Sequence, residues 1–577
     1  MNRKTKGMYK NLTSYGDSGF SIFLRKAFIK GMGYSEEMLS KPIIGITNTY
    51  SDYNPCHGNV PDLIKSVKSG ILASGAIPLE FPTITIHESF AYPTSMYLRN
   101  LMSIDTEEML RAQPMDACVL IGGCDKTVPA QIMGAFSADI PAIQLVTGPM
   151  LTGSHKGERV GACTDCRRYW AKFRAEEIDE NEINEVNNQL VPTVGTCGVM
   201  GTASTMALIT EALGMMVTNG ASAPAVSAER RRIAEETGRI AVEIANKSYK
   251  PKDFLTIKNF QNALTILSAI GGSTNGIVHL TAMAGRLGID INLDDFDQMT
   301  KNTPMIVDLK PSGSGYMEDL FKSGGLPRIL NEMKEYLHLD AMTVSGISLR
   351  EIIDKNNFDW PQQVIRKTKD PIFDKGSIAV LNGNLAPGSA IIKQSAASKE
   401  LLVHEGIVEV FEDLEDLANR IDSEDLNVTK DSILLLRNIG PLGAPGMPEA
   451  GLIPIPKKLA KLGVKDMVRI SDGRMSGTAS GTIVLHVCPE AAAGGNLNIV
   501  ESGDIIKLDV YKRLIELKLT DDEIKLRHDN KKNKKSVKRR GYNKIFFDSV
   551  LQADKGVDFE ATIMRSCNHD IELQIHN

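Results

Sequence analysis

The chain is predicted to be an α/β protein in two parts. An N-terminal α/β domain with a parallel sheet carries the candidate site, and a β-rich, barrel-like C-terminal domain follows. Three observations predict this. Between about residues 43 and 214, short apolar strands, loops and helical patterns alternate, as in parallel strands joined by helices. From residue 371 the texture becomes short β-type runs broken by glycine, proline and aspartate. The 577 residues also exceed what one hydrophobic core serves. The division falls near DWPQQVIRKTKDPIFDKGS, giving domains 1–370 and 371–577.

Residues 1–40 read as an arm and a first helix around IFLRKAFIKGMG. KPIIGITNTYSD follows, a β-rich run from Ile43 to Thr47 ending in the loop that carries Cys56. Pro61 suits the first turn of the next helix, PDLIKSVKSGILASGA, where a missing N–H costs nothing. LEFPTITIHES reads as a strand ending near Glu88. DACVLIGG is another strand, running straight into Cys124, Asp125 and Lys126. VPTVGTCG repeats the arrangement ahead of the helix GTASTMALITEALG. Such sheets gather ligand groups at the carboxyl ends of their strands. In the second part GSIAVLNGNLAPGSAIIK, GIVEVFED, DSILLLRNIG, DMVRISDG, GTIVLHVCPE and SGDIIKLDVYKRLIELKL read as strands.

Composition narrows the function. A net charge of −5 argues against a general nucleic-acid binder. No apolar stretch approaches the roughly 20 residues that span a bilayer, so no membrane association is expected. The N-terminus lacks the apolar segment of a secretory signal. Eight cysteines in this length do not make a disulfide framework, and a cytoplasmic location fits them. The basic cluster KKNKKSVKRRG, at 531–541, reads as a solvated loop, with a nucleic-acid patch as its alternative.

Cys56, Cys124 and Cys197 each sit in a polar or glycine-rich loop just before a helix, where a helix N-terminus favours a thiolate. Converging in space, three thiolates would hold an iron–sulfur cluster with one coordination position unfilled, which is a Lewis-acid site. Zinc with a water as fourth ligand is the alternative, in a non-catalytic protein. Cys124-Asp125-Lys126 places a soft ligand, a hard anionic ligand and a cation side by side. Glu88, and Glu449 after the loop GPLGAPGMPEAG, would complete a site for a hard divalent ion; singly, each carboxylate also reads as a surface charge.

GGCDKT, GTCGVMGTASTM, GGSTN, GNLAPG, GAPGMPEAG and SDGRMSGTASG stand in the order found in one enzyme family. From about residue 15 to 560 the chain resembles the dihydroxy-acid, phosphogluconate and sugar-acid (aldonate) dehydratases. The resemblance implies an α/β domain and a β-barrel domain with the active site between them. It implies that Cys56, Cys124 and Cys197 bind the cluster, [2Fe–2S] in the sugar-acid branch and [4Fe–4S] in the phosphogluconate branch. It further implies Mg²⁺ on Glu88, Asp125 and Glu449, with Lys126 a carbamylated ligand; the alternative for Lys126 is an ammonium paired with Asp125. Ser476 matches the catalytic base, Thr478 would orient substrate, and the helix start at Thr202 and Ser204 would anchor its carboxylate. The activity implied is a hydro-lyase converting a 2,3-dihydroxy acid to a 2-keto acid, in a homodimer or homotetramer.

Within that family, Pro448 and the stretch ACTDCRRYWAKFRAEEID resemble the sugar-acid branch, so a polyhydroxylated aldonate such as arabinonate or xylonate is the expected substrate. Dihydroxyisovalerate, the branched-chain precursor, is the alternative. Arg167, Tyr169 and Tyr542 are candidates to meet substrate hydroxyls. His57 reads equally as a donor to cluster or substrate and as a structural histidine. Cys163 and Cys166 form a lone CxxC, read as reduced thiols of no catalytic role, with a redox switch or an assembly effect as the alternative. Cys118, Cys488 and Cys567 read as structural.

Overall fold

The computed structural model describes residues 6–12, 15–531 and 538–564. Cys567 and residues 532–537, most of the basic cluster, lie outside the described residues. Strands β1 (Ile43–Asn48), β2 (Ile77–Pro82), β3 (Ala117–Gly122) and β4 (Ala142–Val146) form a parallel sheet in the order β2-β1-β3-β4. Crossover helices Val60–Ala73, Ser95–Ala112 and Thr127–Ala138 join successive strands. This strand order decides where a site can form. From β1 the chain leaves toward one side of the sheet and from β3 toward the other, so a crevice opens beyond their carboxyl ends. Cys56 follows β1 and Cys124 follows β3.

The sheet is buried on both faces, which is why ACVLIG and AIQLV are unbroken apolar runs. Helices Thr202–Leu213, Ala228–Lys247, Ile257–Ala269 and Asn275–Gly285 extend the same core. A small antiparallel pair, β5 (Gly153–His155) with β6 (Glu158–Val160), lies beyond β4.

Two expectations need correction. The second strand ends at Pro82, not near Glu88: its partner β1 ends at Asn48, paired with Pro82, and Glu88 opens a short 3₁₀ turn, Glu88–Phe90. VPTVGTCG is not a strand–loop unit but a loop, with a single bridge between Pro149 and Thr196. Pro192 cannot donate to a ladder, and Gly195 has φ +128°, outside the β region. The loop therefore borders the end of β4, which did not stand out in the sequence.

The second part is a closed eight-stranded barrel. Its strands are β7 (Ala379–Gly383), β8 (Ala386–Ile392), β9 (Val403–Phe411), β10 (Ile433–Leu436), β11 (Arg469–Ser471), β12 (Ile483–Cys488), β13 (Ile505–Asp509) and β14 (Leu514–Leu517). They close in the order β10-β11-β12-β8-β7-β14-β13-β9, with β9 pairing β10. Alternation assigns the faces: Ile433 and Leu435 fill the barrel, whereas Leu434 and Leu436 pack in an outer cluster with Leu417 and Ile453. Among the described residues, no helix is long and apolar enough to cross a membrane.

Candidate active site

The site is assembled from loop ends. Cys56 lies in the 3₁₀ turn Pro55–His57, and Cys124 precedes the helix Thr127–Ala138. His57 is the device that shapes both turns. Its Nε2 accepts the backbone N–H groups of Gly123 (2.8 Å) and Cys124 (3.0 Å). Nδ1 must then carry the proton, and it donates to the carbonyl of Thr49 at 2.9 Å. Burial holds the ring neutral, with its pKa pushed down to about 4. His57 thus serves as a positioning residue for the Cys124 loop.

Side-chain donors of Cys56, Cys124 and His87 lie within 4.8 Å of one another. His87 escaped the sequence reading, although it immediately precedes Glu88. Cys197 lies outside that 4.8 Å group; its Sγ lies against Gly201, which also borders the Thr478 side chain. For Cys56 and Cys197 the expectation of ready thiolates at helix N-termini is corrected. Contact with Cys124 together with burial raises the Cys56 thiol well above its ordinary value; contact with Cys163 and burial do the same for Cys197. A cation binding there must displace those protons. Cys118 and Cys488 are buried in β3 and β12, as structural thiols should be.

Beside the sulfurs, carboxylate oxygens of Glu88, Asp125 and Glu449 also lie within 4.8 Å of one another. Lys126 is fully buried among them. Its Nζ contacts Asp125 and lies 3.5 Å from Glu88 and 3.6 Å from Glu449. Burial and Arg474 pull its pKa down, but the three carboxylates prevail and hold it above the ordinary lysine value. That direction fits the reading of Lys126 as an ammonium paired with Asp125. Arg474, buried and missed in the sequence, contacts Glu449, lies 3.6 Å from Glu88 and donates to Thr94 at 2.9 Å. Glu88 is further fixed by Thr94 Oγ1 at 2.6 Å and by Ser95.

Three partly buried carboxylates against two buried cations leave one negative charge in the group. Arg474 Nε and Asn275 Oδ1 are buried there without a hydrogen-bond partner. Both features fit a divalent cation and a polar ligand between the two domains.

Ser476 sits on the barrel side. Its Oγ lies 2.9 Å from Thr478 Oγ1, and Arg167 Nε donates to the same Thr478 oxygen at 3.3 Å. Thr202 Oγ1 lies 2.9 Å from Ser273 Oγ and accepts from Asn275 (3.1 Å) and from the Gly477 N–H (3.3 Å). Asn275 also reaches Glu449, at 3.4 Å. This network ties the helix start at Thr202 to the loop of Ser476. Ser204 is spent differently: its hydroxyl donates to the carbonyls of Cys197 and Val199 and folds the cysteine loop. Tyr169 and Tyr542 do not reach the site. Tyr169 is buried against Val160 and Leu190, and the Tyr542 hydroxyl donates to the carbonyl of Tyr97.

With sulfur donors, carboxylates and a serine loop facing one crevice, the comparison with known proteins is direct. Residues 41–352 match the N-terminal domain, and residues 363–557 the C-terminal domain, of dihydroxy-acid/6-phosphogluconate dehydratases. The chain belongs to this family. It is 43% identical over 549 residues to an L-arabinonate dehydratase of Rhizobium leguminosarum bv. trifolii, covering 95% of each chain. Identity is 40% over 529 residues to a 6-deoxy-6-sulfo-D-gluconate dehydratase of Pseudomonas putida, covering 91% of each. With a dihydroxy-acid dehydratase of Thermodesulfovibrio yellowstonii it is 36% over 543 residues, covering 93% of this chain and 97% of that one. The protein is a dehydratase, a hydro-lyase of the dihydroxy-acid/6-phosphogluconate dehydratase family.

Proposed function

We propose that this dehydratase acts on a sugar acid, an aldonate such as arabinonate or xylonate, and yields a 2-keto acid. The supporting observation is a Cys/His cluster side by side with a three-carboxylate cluster, with the Ser476 loop bonded to the helix start at Thr202. Soft and hard donors so close suit two different metals. In this reading Cys56, Cys124 and Cys197 hold a [2Fe–2S] cluster, with [4Fe–4S] as the alternative. Glu88, Asp125 and Glu449 hold Mg²⁺, and Lys126 is carbamylated once it gives up the proton that the carboxylates hold on it. Bound there, these groups supply Lewis acidity at the departing hydroxyl and at the carboxylate end of the substrate.

The chain's own residues handle the proton and the alignment. Ser476 Oγ takes the C2 proton. A serine is a poor base alone, and the Arg167 guanidinium, reaching the same hydroxyl pair through Thr478, favours the alkoxide. Thr478 and Thr202 offer hydroxyls to substrate oxygens. His57 and Ser204 hold the cysteine loops in shape. Higher identity to the arabinonate enzyme than to the dihydroxy-acid enzyme supports the aldonate class. The same reading makes the protein a cytoplasmic homodimer or homotetramer, which light scattering tests for subunit number.

One observation favours a rival metal: Cys56, His87 and Cys124 are a set that zinc accepts. The deciding experiment is an anaerobic assay of aldonates and dihydroxyisovalerate with Mg²⁺, reading 2-keto acid together with visible absorption. Aldonate turnover by a brown protein is the expected result. Turnover of dihydroxyisovalerate alone would reassign the substrate, and a colourless, inactive protein would favour zinc.

A further inference from the structure

Cys163 and Cys166 lie outside the set that the proposed reaction uses, yet they are not remote from it. Cys163 caps the start of the helix Thr164–Arg174, and Cys166 follows within its first turn. Cys163 and Cys197 border the same turn: Thr164, next to Cys163, donates to the carbonyl of Thr478, and Gly201 lies against both the Thr478 side chain and Cys197 Sγ, so that Cys163 stands between Cys166 on its own helix and Cys197. All three cysteines are partly exposed, so a small oxidant can reach them. Their placement is firmly built. Thr164 Oγ1 donates to the carbonyl of Thr478 at 3.1 Å, and Arg167 Nε to the Thr478 hydroxyl at 3.3 Å, which fixes the helix start against the Ser476 loop. Between the two cysteines, Asp165 is fully buried. It accepts from the Gly161 N–H (2.9 Å), Lys310 (3.0 Å) and Tyr316 (2.8 Å).

We propose that Cys163 and Cys166 form a dithiol that rescues Cys197 from oxidation while the cluster is absent. The inference rests on the reading of Cys197 as a cluster ligand for its purpose, though not for its chemistry. Hydrogen peroxide oxidises the Cys197 thiol to a sulfenic acid and is itself reduced to water. The Cys163 thiol attacks that sulfur; a Cys163–Cys197 disulfide forms and a second water leaves. Cys166 then attacks Cys163 Sγ. The bond to Cys197 breaks, a Cys163–Cys166 disulfide forms, and Cys197 departs as a thiolate that takes up the proton released by Cys166. Two thiols have been oxidised by one peroxide, and the cluster thiol is again reduced. Two equivalents of a low-molecular-weight thiol reset the pair. The middle sulfur must reach both others for this relay, and Cys163, at the helix start beside the Thr478 turn, is the one so placed.

The test is thiol mapping by mass spectrometry on full-length, cluster-free protein treated with one equivalent of hydrogen peroxide. The wild type is expected to show a Cys163–Cys166 disulfide with Cys197 still alkylatable. Cys166→Ser should accumulate the Cys163–Cys197 disulfide. In Cys163→Ser under excess peroxide, since a sulfinic acid takes two peroxides per thiol, Cys197 should pass to sulfinic acid about fivefold faster or more than in the wild type. Alkylatable Cys163 and Cys166 beside an overoxidised Cys197 in the wild type would overturn the relay. So would an unchanged rate of Cys197 loss in Cys163→Ser. The wild-type map decides the matter even if a variant folds poorly. Because it reads sulfur chemistry in the cluster-free chain, failure to load a cluster would count against the proposed function and leave this result standing.

Discussion

Cys124 stands where several constraints meet: its sulfur faces Cys56 and His87, its N–H is held by His57, and its neighbour Asp125 faces Lys126. Cys124→Ser changes little volume but removes a soft ligand. It is expected to bleach the visible absorption of anaerobically purified protein; retained colour with turnover would take Cys124 off the ligand set. Ser476→Ala should keep that absorption and slow C2 proton exchange in deuterated water by about a hundredfold or more. Normal exchange would assign the base to another group. Residues flagged by an unusual setting were legible beforehand: cysteines in polar loops, and Asp125 and Lys126 at a strand end. Arg474 and His87 were not, because a lone arginine or histidine in a loop carries no signal until folding sets it beside carboxylates or sulfurs. Ser204 shows the converse, since its motif suggested a ligand contact and its hydroxyl is spent on the cysteine loop.

The element that makes the site bipartite is the loop from Asn438 to Gly451, which carries Glu449 from the barrel to the sheet domain. Gly446 has φ +81°, and a Cβ there would lie 2.3 Å from the backbone nitrogen of Tyr97. Gly446→Ala must therefore push the loop off the helix Ser95–Ala112. Its expected effect is a loss of Mg²⁺ affinity of about tenfold or more, as for other supports of metal ligands, with the iron chromophore retained; calorimetric Mg²⁺ titration reads it. The root of the same loop is gripped by two buried carboxylates. Asp472 accepts from the N–H groups of Asn438 and Ile439, and Glu490 from those of Leu442 and Gly443. Burial, and then the neighbouring Asp472, raise Glu490 to a pKa of about 7. The folded state thus holds this proton more tightly than the unfolded chain. The resulting stabilisation is complete below the ordinary glutamate pKa and is lost as pH rises through about 7. Relative to Glu490→Gln, the wild type should lose roughly 3 kcal/mol between pH 4.5 and 8, measured by denaturant unfolding. A pH-independent difference would refute it. At this scale the barrel strands and the first and third sheet strands were readable, since alternation and apolar runs are local signals. The end of β2 and the Cys197 loop were not, because each depends on where a partner strand stops.

The whole molecule is closed by a strap that the linear division into two domains did not foretell. After the barrel, the helix Gly541–Ser549 and the residues beyond it return to the sheet domain. Tyr542 meets the Tyr97 ring edge-on, and Arg99 Nη2 donates to the carbonyls of Gly556 and Val557 at 2.9 and 2.8 Å. Asp558 seals the contact with two bonds to Arg286, at 2.7 and 2.9 Å, and both side chains are fully buried. Nothing local in VDFEAT marks this aspartate, because its partner lies some 270 residues earlier. The strap matters for chemistry because the helices it grips, Ser95–Ala112 and Asn275–Gly285, also supply Ser95 and Asn275 to the site. Asp558→Asn keeps the shape but leaves the buried Arg286 guanidinium with Glu107, 3.6 Å away, as its remaining counter-charge, at an expected cost of about 3 kcal/mol. An apolar pair, Arg286→Met with Asp558→Leu, strands no charge and should recover most of that loss. Denaturant midpoints of the wild type, both single variants and the double variant measure the coupling. A single-variant loss below about 1 kcal/mol would mean that the strap is dispensable, and that the domains meet at Glu449 by the barrel loop alone.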